Sequence, residues 1–400
     1  MKYAIIIPDG AADEPLDELE GKTPLAAAEV PNMDWVACHG RCGTVRNIPK
    51  GLPCGSDVAI LSLLGYNPKK YYTGRAPLEA VTQGLKIGTD ECVFRCNLVT
   101  LADGKMEDYS AGHIRNEESH RLIDALNEEL AGEDQHRGIR FYPGVGYRHL
   151  MTFAGDCRVR TTAPHDVLDQ EVAAYLPRGR GSKLLRSLME RGGDILAAHE
   201  INIVRAELGE NPANAIWLWG QGKMPSLPTF AERFAVQGAA ITAVDLVRGL
   251  AKLIGWDLLS VDGATGYLDT NYAGKGTAAV GALDKYDLVF VHVEATDEAG
   301  HNADAAAKVQ ALEQIDRHIV GPVLKRLRDE GDQWRIMVLP DHPTPCTIRT
   351  HTPEPVPFAI AGKDMQGVPE DELFTEEAAA AADLHIARGC DLMEFFLTVR

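Results

Sequence analysis

Apolar residues along this chain follow two rhythms. Strand-like, largely apolar runs occur at 3–8, 215–219, 258–261, 288–293, 336–339 and 356–361, as in strands buried on both faces. Over 23–37, 57–64, 242–254, 303–327 and 375–397 apolar residues instead recur at three and four, which predicts helices. Strands alternating with helices predict an α/β protein with a doubly wound, mostly parallel sheet. From about 84 to 211 the rhythm changes. This stretch is richer in Arg, His and acidic residues, and its predicted helices, 117–130 and 182–196, are strongly amphipathic. We therefore expect a discontinuous core, 1–83 with 212–400, interrupted by an inserted domain at 84–211.

Size agrees, because 400 residues exceed the roughly 250–300 at which a single core stops growing. A net charge of −18 argues against nucleic acid, whose binding draws on Lys and Arg neutralising phosphates. The same carboxylate excess suits divalent cations. No stretch approaches the roughly 18 uninterrupted apolar residues of a membrane span, and the run after Met1 is too short for a secretory leader. A cytoplasmic protein with no membrane partner is expected. The eight cysteines are scattered, which predicts reduced thiols.

Chemistry-bearing residues collect just after the apolar runs. Asp9 follows Ile5-Ile6-Ile7-Pro8, Asp297 and His301 follow 288–293, Asp341 and His342 follow 336–339, and His351 comes nine residues later. In an open α/β sheet, ligands bind beyond the carboxyl ends of strands, so these side chains can converge. One Asp after a strand is ordinarily a turn former; six such residues together form a ligand set. Carboxylate with imidazole suits Zn, Mn, Co or Mg. Six ligands suffice for two ions about 4 Å apart, the clamp used in phosphoryl transfer. Asp297 and His301, at i and i+4, lie on one face of a helical turn.

Ser56 stands in Gly55-Ser56-Asp57-Val58-Ala59-Ile60-Leu61. A serine opening an apolar helix is either an N-cap or a phosphate-handling hydroxyl at a helix amino terminus. As a nucleophile it needs a base or a metal. Neither a GxSxG elbow nor a Walker A loop is present, which leaves metal activation. Arg75, His113, Arg148, His149 and Lys275 are candidates for holding a small phosphorylated, carboxylated substrate, arginine by paired hydrogen bonds and lysine as a point charge.

Several segments together resemble the archaeal-type cofactor-independent phosphoglycerate mutases of the alkaline phosphatase superfamily. They are Pro8-Asp9-Gly10, Gly55-Ser56-Asp57, Leu63-Leu64-Gly65-Tyr66, Thr73-Gly74-Arg75-Ala76-Pro77, His292-Val293-Glu294-Ala295-Thr296-Asp297 through Gly300-His301, and Pro340-Asp341-His342. The resemblance implies an alkaline-phosphatase-type sheet with an inserted α+β cap that closes over the site. It implies one metal on Asp297, His301 and His351 and a second on Asp9, Ser56, Asp341 and His342. It further implies interconversion of 3- and 2-phosphoglycerate through a phosphoserine, with no 2,3-bisphosphoglycerate. A branch of the same family proposed as homoserine kinases in threonine synthesis would share this metal core, as would a phosphomonoester hydrolase, and specificity among them would reside in the cap.

Overall fold

The structure is a computed structural model that describes residues 1–131, 138–155, 157–365 and 373–398. Its strands in chain order are β1 Lys2–Pro8, β2 Arg41–Val45, β3 Glu91–Ala102, β4 Lys105–Asp108, β5 Arg140–Val145, β6 Arg148–Ala154, β7 Val159–Arg160, β8 Arg178–Gly179, β9 Ala215–Lys223, β10 Gly238–Ile241, β11 Asp257–Leu258, β12 Leu288–Val293, β13 Trp334–Val338, β14 Val356–Gly362 and β15 Leu384–Ile386. The chain divides into two compact units, Met1–Tyr72 with Ser226–Arg400, and Thr73–Pro225.

The first unit is built on an eight-stranded sheet in the order β11-β10-β12-β1-β13-β14-β2-β15. Strands β11, β10, β12, β1 and β13 run parallel, whereas β14 is antiparallel to both β13 and β2. Tyr3 to Pro8 are all buried, as a central parallel strand covered on both faces requires. β1 lies between β12 and β13, with Ile7 opposite His292 and Ile6 opposite Val338. Three neighbouring parallel strands therefore release their chains at the same edge. Asp9 leaves β1 there, the helix Ala295–His301 follows β12, and Asp341 and His342 follow β13.

Three helical periodicities are cut short, and the pattern over 375–397 becomes Glu376–Ala381 and Leu392–Thr398 with β15 between them. The pattern over 23–37 divides into Pro24–Ala27 and Pro31–Cys38, because Pro31 lacks an N–H and can open a helix but not continue one. The pattern over 303–327 becomes Ala305–Ile315 and Gly321–Asp329 around a π turn, Asp316–Val320. The buried Asp316 carboxylate there accepts from Asn32 and the Met33 amide.

In the second unit β3 pairs antiparallel with β6 and β9, β5 extends from β6, and β4 pairs with the far end of β3. Helices Asn116–Ala131 and Ser182–Ala198 contribute Leu122, Ile123, Leu126, Leu185 and Leu188 to a core with Phe94, Leu98 and Trp217. Residues 73–83 and 212–225, expected in the core domain, belong here. Ala76 and Ala80 of the helix Ala76–Thr82 pack with Val93 and Leu150, and the run 215–219 is part of β9, antiparallel to β3. The expectation of eight free thiols also fails, since Cys92 and Cys157 are joined in a disulfide with Cα atoms 5.7 Å apart. Among the described residues no helix is long and apolar enough to cross a membrane.

Candidate metal centre

The carboxyl edge of β12, β1 and β13 gathers Asp9, Asp297 and Asp341, at most 5% exposed each. Three buried carboxylates at one edge repel each other and have lost their hydration, which is unfavourable unless a cation compensates. Burial, and then the Asp341 and Asp297 carboxylates, accordingly push the Asp9 carboxyl well above its ordinary range. Burial pushes Asp297 upward too, but hydrogen bonds from His301 and His351 outweigh it and hold that carboxyl well below its usual range.

The donor atoms fall into two groups. In one, Asp297 Oδ2 lies 3.2 Å from His301 Nε2 and Oδ1 lies 3.4 Å from His351 Nε2. His301 Nδ1 faces the Arg349 carbonyl at 3.0 Å, and His351 Nδ1 faces the Cys54 carbonyl at 3.3 Å. A carbonyl only accepts, so each Nδ1 carries a hydrogen, and each Nε2 is left either to donate to Asp297 or, with a cation bound, to offer it a lone pair, the usual arrangement of metal-binding histidines. In the other group, His342 Nε2 lies 3.1 Å from Ser56 Oγ, 3.5 Å from Asp9 Oδ1 and 3.3 Å from Asp341 Oδ2. Those two carboxylate oxygens are buried and lack hydrogen-bond partners. Orphaned buried oxygens converging on an imidazole nitrogen that also lies against a hydroxyl fit a divalent cation. Asp297, His301 and His351, and separately Asp9, Asp297 and His342, have ligand atoms close enough to hold one ion.

Local structure aims these donors. Gly10 holds φ +61°, and a Cβ there would collide with Asp297 Oδ1 and Thr344 Oγ1, so only glycine lets β1 turn beneath Asp297. The Gly10 and His342 amides donate to Asp341 Oδ1 at 3.2 and 3.0 Å. Asn47 Nδ2 donates to the Asp341 carbonyl at 2.8 Å. The Thr344 hydroxyl donates to Asp297 and the Thr296 hydroxyl to the Asp9 carbonyl. Below this loop Lys308, fully buried, donates to Asp13 at 2.7 Å and to the Thr344 carbonyl at 2.9 Å. Ser56 is the first residue of the helix Ser56–Leu63, whose amino terminus favours anions.

Of the expected substrate contacts, Lys275 is 1% exposed, and its ammonium donates to the His292 carbonyl at 3.3 Å. Burial lowers its pKa to about 8 against the pull of Glu294. The others lie in the second unit. His149 is buried, its ring accepts the Gly144 N–H at 3.0 Å, and burial lowers its pKa to about 3. His149 therefore shapes the turn between β5 and β6 as a neutral ring. His113 and Arg148 are exposed and flank Tyr147, at 6.3 Å between ring centroids and 4.9 Å from guanidinium to ring. Arg75 and Arg95 share Glu79 at 3.4 and 3.1 Å.

Arg95 escaped the sequence reading, as did Trp219, over which its guanidinium lies at 4.2 Å, and His165, whose ring is 5.4 Å from that indole. Burial, against the pull of Glu79, lowers the Arg95 pKa to about 10, and Arg75 and Arg148 push the same way. The available signal was two polar residues, Arg95 and Asn97, two apart in the largely apolar middle of a strand. His292, also missed, lies inside a strand that reads as wholly apolar core.

The fold recurs in solved structures. A Pyrococcus horikoshii protein shares 31% identity with a TM-score of 0.81, covering 99% of this chain and 96% of that one. A cofactor-independent phosphoglycerate mutase from Thermoplasma acidophilum shares 28% with a TM-score of 0.65, covering 99% of each. The sequence profile of 2,3-bisphosphoglycerate-independent phosphoglycerate mutase matches residues 37–202. Proteins of that name are 47% identical in Methanosarcina barkeri, over 98% of both chains, and 51% identical in Methanothermobacter thermautotrophicus, over 93% of this chain and 91% of the relative. The chain belongs to the 2,3-bisphosphoglycerate-independent phosphoglycerate mutase family.

Proposed function

We propose that this protein is a metal-dependent isomerase that interconverts 3-phosphoglycerate and 2-phosphoglycerate without 2,3-bisphosphoglycerate, with Ser56 carrying the phosphoryl group between the two hydroxyls. The observation that carries the reading is the placement of Ser56 Oγ at a helix amino terminus, 3.1 Å from His342 Nε2 and 3.4 Å from Asp9 Oδ2, with two orphaned carboxylate oxygens facing that same imidazole nitrogen. Asp297, His301 and His351 would hold one divalent cation, and Asp9, Ser56, Asp341 and His342 a second. Bound there, Mn, Mg, Co or Zn would lower the pKa of the serine hydroxyl and neutralise charge developing on the phosphate.

The residues of the chain supply the rest. Ser56 Oγ forms a bond to phosphorus as the bond from phosphorus to the 3-oxygen breaks, and the proton lost by the serine is matched by one gained at that oxygen. The glycerate 2-hydroxyl then attacks phosphoserine 56, breaking its bond to Oγ, and the proton lost by that hydroxyl is matched by one regained at Oγ, so the reaction sums to an isomerisation. The helix Ser56–Leu63 favours the phosphoryl group at its amino terminus throughout. A glycerate retained between the steps needs charges matched to its carboxylate, and Arg75, Arg95 and Arg148 suit that task. Access of water at this stage would turn the reaction into hydrolysis.

Phosphorus NMR of 3-phosphoglycerate with the purified, manganese-loaded protein tests this. Appearance of 2-phosphoglycerate, abolished by EDTA and by Ser56→Ala, is the expected result. Release of inorganic phosphate alone would show a hydrolase and overturn the proposal.

A further inference from the structure

β12 carries one ionisable side chain among five apolar ones, His292, and it is fully buried. Its Nε2 lies 2.9 Å from Asp9 Oδ2, and its Nδ1 lies 3.2 Å from Thr242 Oγ1. The Thr242 oxygen accepts the Val244 N–H at 3.1 Å, and an ionised Asp9 carboxylate can only accept from the ring, so a neutral imidazole takes the Thr242 hydroxyl hydrogen at Nδ1. The imidazole hydrogen then sits on Nε2 and is donated to Asp9. The two Asp9 oxygens are thereby made unequal: Oδ2 accepts from His292 and, at 3.4 Å, from the Ser56 hydroxyl, while Oδ1, 3.5 Å from His342 Nε2, has no hydrogen-bond partner. Asp341 is treated alike, since backbone N–H groups occupy its Oδ1 and its Oδ2 is the orphan. In each carboxylate one oxygen is anchored by the protein and the other faces the imidazole nitrogen beside Ser56.

We propose that His292 is a positioning residue that, oriented by Thr242, fixes the rotation of the Asp9 carboxylate and so reserves Oδ1 for the cation on the Ser56 side. The proposal rests on the two-cation reading of the site. Parallel pairing of β1 with β12, which sets Ile7 opposite His292, brings the ring to Asp9 across 283 residues of sequence. A ring buried only to fill the core would have no reason to leave one oxygen of its partner unpaired.

Manganese titration of the metal-stripped, full-length protein, followed by electron paramagnetic resonance and calorimetry, separates the cases. The wild type should take up two ions. In His292→Phe one site should weaken by about 10–100-fold, the usual effect of losing the partner that orients a ligand, while the site on Asp297, His301 and His351 keeps its affinity. His292→Gln, whose amide can still donate to Oδ2, should recover most of the loss. Thr242→Val, which removes the donor to Nδ1, should show a smaller loss at the same site and keeps the test open if His292→Phe does not fold. Two ions bound with wild-type affinity by His292→Phe or, where that variant does not fold, by Thr242→Val would overturn the proposal while leaving the two-cation reading intact. A wild type that binds no manganese would overturn both.

Discussion

The Nε2 atoms of His301 and His351 lie 3.0 Å apart, while the other nitrogen of each ring faces a backbone carbonyl. Two Nε2 atoms at that separation, both turned to the Asp297 carboxylate, are placed to bind one cation together. Metal removal should therefore destabilise the fold as well as stop catalysis. An ion present at 100 times its dissociation constant stabilises by about 2.7 kcal/mol, so EDTA should lower the melting temperature in differential scanning fluorimetry and manganese should restore it. His351→Ala should abolish most of that response. An EDTA-insensitive melting curve would count against a metal on these residues.

Gly10→Ala tests how closely β1 passes beneath Asp297. An alanine at φ +61° carries backbone strain of about 1–3 kcal/mol, and its methyl would displace Asp297 and Thr344. The expected outcome is a folded protein with reduced manganese affinity and strongly reduced turnover. Wild-type metal content and activity in this variant would show that the turn has room to spare.

The Lys308–Asp13 pair, both side chains fully buried, holds the loop carrying Asp341 and His342, since Lys308 also binds the Thr344 carbonyl and Asp13 accepts the Cys346 N–H at 3.1 Å. Lys308→Met leaves a buried carboxylate unpaired, which should cost about 3–5 kcal/mol in urea unfolding. Adding Asp13→Leu should recover part of it. A single variant as stable as the wild type would show that the loop does not depend on the pair.

In the second unit, burial raises the Asp108 pKa, but hydrogen bonds from the Ser110 hydroxyl and Asn211 side chain and from the Ser110 and Gly112 amides outweigh it and lower the pKa overall. A depressed carboxyl stabilises the fold above its unfolded pKa of about 3.9 and loses that contribution as pH falls through the folded value. Asp108→Asn should therefore melt below the wild type at pH 7, and the difference should shrink as the pH is taken below about 4. A difference that does not change with pH would assign the effect to geometry rather than charge.

The residues at the ends of 3–8, 288–293 and 336–339 were legible in the sequence because a parallel strand buried on both faces must be a continuous apolar run, and whatever ends it stands at the sheet edge. Ser56 was legible for a similar local reason, a hydroxyl opening an apolar helix. The spacing of Asp297 and His301 declared itself through helical periodicity. Pro31 shows how far local rules extend: it interrupts an otherwise regular pattern, and its chemistry explains the break.

What tertiary structure alone decided depends on which strands lie side by side. Only the order β12-β1-β13 sets His292 against Asp9 and turns an apparent core residue into one that orients a carboxylate. Only the antiparallel pairing of β3 with β9 places Arg95 over Trp219, and moves 73–83 and 212–225 out of the unit to which their patterns assigned them. The division of each aspartate into an anchored and an orphaned oxygen, and the meeting of Cys92 with Cys157, follow from contacts between residues distant in the chain. Periodicity records which face of an element is buried, while the identity of its neighbour is set by packing among all the elements together.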